Sequence, residues 1–239
     1  MNYFDEYTKS YDMTKPELEY KYHHSYRVMD NMIVLAKSLS LPIKDVNLAK
    51  CIGLLHDIGR FEQFKKYQTF KDIDMDHGNY GEKILRENDV LKYFDISKDD
   101  YDVVYTAIRN HNKYKIEDNL SSRELLFSKM IRDADKLDIL YALGNPEIKW
   151  IVKEDDGIIS NRVSEAFFQN RQIKSTGKEN ENENLVGLFS FAYDIYYNVT
   201  FDIIKNEQYY QKIYQRLHNQ DLFKPYFEHI TKYIDERTR

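Results

Sequence analysis

The stretch Leu54-Leu55-His56-Asp57-Ile58-Gly59-Arg60 constrains this chain more than any other. It follows the apolar run Ala49-Lys50-Cys51-Ile52-Gly53 and sets an imidazole beside a carboxylate. A helix from about Lys44 is read here because Leu48, Cys51, Ile52 and Leu55 recur at steps of three and four, with Gly59 expected as its C-terminal stop. Burying either polar group without a partner costs several kcal/mol, so the fold must bring compensating groups to this point.

The same arrangement recurs elsewhere. Thr14-Lys15-Pro16-Glu17 fits a capping box with Pro in the first turn, opening a helix to about Ser40. Its stripe is Val28, Met32, Leu35 and Leu39, and one turn back from Val28 lies His24; His23 points about a quarter-turn away, toward solvent. Another helix starts near Gly78 with His77 at its head, and Val104, Ala107, Ile108 and His111 align on the next. Before the Gly78 helix, residues 61–76 mix aromatics, three lysines and acids without clean periodicity, as a long loop or broken helix covering a site would. Ser121 or Ser122 can cap a helix to Gly144, with Asn145-Pro146 as a break. On it Leu126, Met130, Asp133 and Leu137 share one face and Ile131, Asp135 and Ile139 a neighbouring one, so periodicity does not choose between the acids.

Eight glycines and four prolines in 239 residues supply too few turns for an all-β or a glycine-looped α/β design, so an all-α fold is expected. Residues 1–145 read as a helical bundle and 146–239 as a helical extension forming one structural unit with it. The extension holds a helix around Asn161-Arg162-Val163, a polar connector Lys174-Ser175-Thr176-Gly177-Lys178-Glu179-Asn180-Glu181-Asn182-Glu183-Asn184 expected to be exposed or mobile, and two or three aromatic-rich helices. It carries no known motif and is expected to pack on the bundle, shaping the pocket or a homo-oligomer interface. The 21 Tyr and 13 Phe are assigned to packing. A net charge of −5 argues against dedicated nucleic-acid binding. Cys51 is the only cysteine, which rules out an intrachain disulfide or thiolate cluster. There is no basic, apolar leader and no apolar run of membrane-spanning length, so a cytoplasmic protein without membrane contact is expected.

Four of the seven histidines, His24, His56, His77 and His111, thus sit on separate helix faces or ends beside apolar stripes, two of them next to acids, Asp57 and Asp76. Imidazole and carboxylate together suit Mn, Fe, Co, Ni or Zn, and bundles build metal sites from several helices. One ion would compensate several buried polar groups at once.

At this point the sequence resembles the HD superfamily of metal-dependent phosphohydrolases, over about residues 20–145. The resemblance rests on His24-Ser25-Tyr26-Arg27-Val28, the His56-Asp57 stretch and Asp133-Ala134-Asp135-Lys136-Leu137-Asp138. It implies His24, His56, Asp57 and Asp135 as ligands, choosing Asp135 because the family's last Asp follows Ala and precedes a basic residue and Leu. His77 and His111 stand where many relatives carry two further ligands, which implies one or two divalent metals with Asp57 as the bridge. His56, Asp57 and Asp135 are then the catalytic residues, and metal-activated water hydrolyses a phosphate ester or anhydride of a nucleotide or similar small metabolite. Arg27, Arg60 and Lys136 are candidate substrate contacts. The same ligands suit a di-iron oxygenase of the HD type, or a non-catalytic metal-binding sensor.

Overall fold

The computed structural model describes residues 3–148, 152–174 and 178–238. Every regular element among them is a helix, so the all-α expectation holds. The chain divides into two compact units, Met1–Asp135 and Lys136–Arg239. The division falls inside a helix, not at residue 145, because Leu137, Leu140 and Leu143 belong to the apolar core of the second unit.

The first unit contains α1 (Tyr3–Thr8), α2 (Pro16–Ser38), α3 (Ile43–Leu55), α4 (Ile58–Tyr67), α5 (His77–Glu87), α6 (Tyr101–Asn110) and the start of α7 (Ser122–Gly144). Helix α1 was not expected; buried Phe4 anchors it, with ring centroids 5.8 Å from both Tyr22 and Phe61. Pro16 opens α2, but Thr14 does not cap it: Lys15 is the N-cap without a side-chain bond, and the Thr14 hydroxyl donates to Asp12 at 2.6 Å. Helix α7 does carry the reciprocal box, the Ser121 hydroxyl accepting from the Glu124 amide and the Ser121 amide donating to the Glu124 carboxylate.

Helix α2 packs on α3, and α5 packs on both α4 and α6. Val28, Met32 and Leu35 meet Leu48, Ile52 and Leu55 in a fully buried layer. The α2–α3 approach is close enough that a Cβ on Gly53 would lie 2.7 Å from the Met29 Cα.

One expectation is sharpened and another needs correction. Residues 58–67 form a helix that buries Phe61, Gln63 and Phe64, and only the segment before α5 is a loop. Gly59 does not stop a helix but lies in the first turn of α4. A Cβ there would sit 2.4 Å from the His77 carbonyl oxygen and 2.9 Å from the Gly81 nitrogen, so glycine is what lets α4 meet α5. His56 is the C-cap of α3 and Asp57 the N-cap of α4, which puts the doublet at a joint between two helices.

The second unit contains the end of α7 with α8 (Asn161–Phe168), α9 (Glu181–Phe189), α10 (Asn198–Asn206), α11 (Tyr209–Arg216) and α12 (Gln220–Arg237). Phe167, Phe189 and Phe223 fill its core with Ile213 and Ile230. The Arg216 guanidinium donates to the carbonyls of Ala142, Leu143 and Asn145, satisfying the end of α7 where Pro146 prevents its continuation. The polar connector is also corrected. Ser175, Thr176 and Gly177 lie outside the described residues, but from Glu181 onward the connector is α9, and Asn182 and Glu183 are buried. Asn180 caps that helix, and the Glu183 carboxylate accepts from the amides of Ser160 and Glu179. Among the described residues no helix is long and apolar enough to cross a membrane.

Candidate metal centre

Helix ends supply most of the site. His56 and Asp57 occupy the α3–α4 joint, His77 is the first residue of α5, and His111 is the C-cap of α6. Only His24 on α2 and Asp135 on α7 project from within helices. The fold brings all of these together. His24 Nε2 lies 3.2 Å from His56 Nε2, 3.4 Å from Asp57 Oδ2 and 3.2 Å from Asp135 Oδ1. On the other side, Asp57 Oδ1 lies 3.3 Å from His77 Nε2 and 3.4 Å from His111 Nε2, and those two nitrogens are 2.9 Å apart. The two oxygens of Asp57 therefore serve two donor sets. His56 lies between them, within 4.8 Å of the nearest donor atoms of Asp57 and His111 as well as of His24 and Asp135.

The direction of the ring hydrogens tests whether a cation fits. His56 Nδ1 donates to the Gly53 carbonyl at 2.8 Å, His111 Nδ1 to the Ile108 carbonyl at 2.6 Å, and His77 Nδ1 to the Asp72 carboxylate at 2.8 Å. These partners accept, so each Nδ1 carries a hydrogen, which leaves Nε2 as the ring atom able to coordinate an ion. The Nε2 atoms of His77 and His111 face each other and an oxygen of Asp57, three donor atoms converging on one point as they would around a cation. Nitrogen fixed by a carbonyl or carboxylate on its far side is the usual setting of a metal-ligating histidine. The residues present thus fit a divalent metal.

Burial pushes His111 down to about 4, which keeps it neutral. Burial acts to raise the Asp57 carboxyl, but the Lys21 ammonium, ahead of the neighbouring imidazoles, holds it well below the usual carboxylate range. Burial likewise opposes ionisation of Asp135, and His24 and His56 outweigh it.

Loop residues 68–76 are fastened over this side of the site. The amide of fully buried Gln63 donates to the Lys71 and Met75 carbonyls and to Asp72. Arg60 donates to the Phe70 carbonyl and to Asp72 at 3.0 Å. Asp72 is thereby delivered to His77, a role that sequence reasoning missed. Asp72→Asn is expected to weaken metal binding at the His77–His111 set by roughly 10–100-fold, the usual cost of losing such an outer partner. Competition with a chelating dye checks this, and unchanged affinity would remove Asp72 from the site.

The candidate substrate contacts are dispersed. Arg60 reaches toward the centre, with Nε 3.6 Å from Asp57 Oδ1, while its Nη1 serves the loop. Arg27 stacks over Tyr20, whose ring stacks in turn on His24. Lys136 pairs with Asp194 at 2.6 Å within the second unit. Two further residues were missed. Lys21 contacts Asp57 Oδ2 at 2.5 Å. Buried Arg132 donates to the Asn110 and His111 carbonyls, holding the end of α6 that carries His111. Both lie three residues before a ligand on the same helix, His24 and Asp135, and that spacing was the available signal.

The HD domain family model matches residues 22–140, a span that includes all of the donors described above. Comparison with curated proteins and with solved structures returned no match. With the match covering α2 through most of α7 and the donors gathered as described, the chain belongs to the HD superfamily of metal-dependent phosphohydrolases.

Proposed function

We propose that this chain hydrolyses a nucleotide or a similar small phosphorylated metabolite, using two divalent transition metals. The observation that carries the reading is the division of Asp57, whose Oδ2 faces His24 and whose Oδ1 faces His77 and His111. His24, His56, Asp57 and Asp135 would hold one ion, and Asp57, His77 and His111 the other. The nitrogen and oxygen donors suit Mn, Fe, Co, Ni or Zn. When bound, such ions polarise a phosphoryl oxygen and bring the pKa of a coordinated water toward neutrality.

The chain's own residues do the rest. The Nδ1 bonds of His56, His77 and His111 fix their rings, so no reorientation is needed when charge develops. Asp57 stays ionised through the Lys21 ammonium. Asp135 is the one donor residue that is partly open to solvent, and it can orient an attacking water by accepting its hydrogen bond.

A panel of phosphorylated metabolites assayed with defined metals, with metal counted per chain, tests the proposal. Orthophosphate release with Mn, Co or Ni is expected. No release, together with an EPR-active iron form that consumes oxygen, would replace the reading with an oxygenase.

A further inference from the structure

Two of the three cations that the sequence offers as substrate contacts have their heads engaged elsewhere, and the third divides its head between a loop and Asp57. Lys136 pairs with Asp194, and the Arg27 guanidinium lies over the Tyr20 ring. Arg60 Nη1 serves Gln63, the Phe70 carbonyl and Asp72 together, and its Nε stands 3.6 Å from Asp57 Oδ1, beyond hydrogen-bond distance. Lys21 differs from all of them. It sits on α2 three residues before His24, on the same face, and its ammonium rests on Asp57 Oδ2 at 2.5 Å. A lysine ammonium carries three donors, and Asp57 is the hydrogen-bond acceptor the structure gives it. The side chain retains 14% exposure beside the ring of Phe70, which lies 5.6 Å from Nζ.

Charge shows what such a group is for. A phosphoryl group carries negative oxygens, and any approach to the shared edge of Asp57 brings them against a buried carboxyl group. A positive donor already fixed on that carboxylate offsets the repulsion and has N–H groups left for a phosphoryl oxygen.

We propose that Lys21 is the substrate-contacting cation of this site, donating to a non-bridging oxygen of the terminal phosphoryl group of the substrate. Arg60 acts instead as a positioning residue that fastens the loop bearing Asp72. The inference rests on the phosphohydrolase reading above.

Calorimetric titration of the metal-loaded protein with orthophosphate, with metal counted on the same samples, tests it. Lys21→Met, close in shape but uncharged, is expected to bind orthophosphate about tenfold more weakly or worse, as the loss of one charge-assisted hydrogen bond implies, at an unchanged metal count. Lys21→Arg, which keeps the charge, should recover part of the loss. Orthophosphate affinity in Lys21→Met within about twofold of wild type, a difference too small for a lost charged contact, would overturn the proposal. So would a fall in metal count that accounts for the whole change, since Lys21 would then serve only to neutralise Asp57. Failure of the hydrolase reading is distinct: the wild-type protein itself would bind no orthophosphate, and both ideas would fall together.

Discussion

Asp57→Asn is expected to strip metal from both donor sets at once, with affinity falling by more than the roughly 100-fold that marks the loss of an outer partner. The substitution keeps the size of the side chain, so packing at the α3–α4 joint is preserved. It replaces one carboxylate oxygen with an amide nitrogen whose hydrogens compete for the imidazole lone pairs, and it removes a charge that each set shares. Asp57 Oδ2 lies 3.4 Å from His24 Nε2 and Oδ1 3.3 Å from His77 Nε2, so neither set is left unaltered. Elemental analysis of metal per chain decides the matter. An Asp57→Asn protein that retained one ion at wild-type affinity would show that the two sets are independent.

Gly59→Ala should produce a larger loss of stability than alanine at any other glycine among the described residues. The new Cβ would meet the His77 carbonyl oxygen at 2.4 Å and the Gly81 nitrogen at 2.9 Å, both backbone atoms that no rotamer change can move aside. Overpacking of this kind costs about 3 kcal/mol when the backbone must shift. For a chain of this length that lowers the thermal midpoint by roughly 6–12 °C. Because the displaced carbonyl belongs to His77, metal affinity should fall as well. Calorimetry on the metal-free protein separates the two effects, and a midpoint within about 2 °C of wild type would mean that α4 and α5 can separate at little cost.

Gly59 also shows where sequence reading reached its end. A glycine just after a polar pair looks like a helix stop, and the atoms that require it, in His77 and Gly81, lie on another helix. His24 and His111 were legible because each continues an apolar stripe at helical spacing. Asp135 was not, since α7 is buried on several sides and Asp133 is the more deeply buried acid; only the family resemblance favoured Asp135, and its contacts with His24 and His56 place it at the site. Asp72 carried no local signal, because its role depends on where Gln63 and Arg60 hold a loop. The start of α9 did carry one: Asn180 and Glu183 have the spacing of a helix cap, but the polar composition around them obscured it. Thr14 erred in the opposite sense, a capping pattern whose hydroxyl found Asp12 first.

The placement of the donors at helix ends bears on kinetics. They span the chain from His24 to Asp135, and only His56 and Asp57 are neighbours in sequence. No single segment can therefore bind an ion well before α2, α5, α6 and α7 have docked around the α3–α4 joint. An interaction absent from the folding transition state leaves the folding rate nearly unchanged and slows unfolding. A bound ion in this centre would act as a latch that closes last, lengthening the lifetime of the native chain without guiding its assembly.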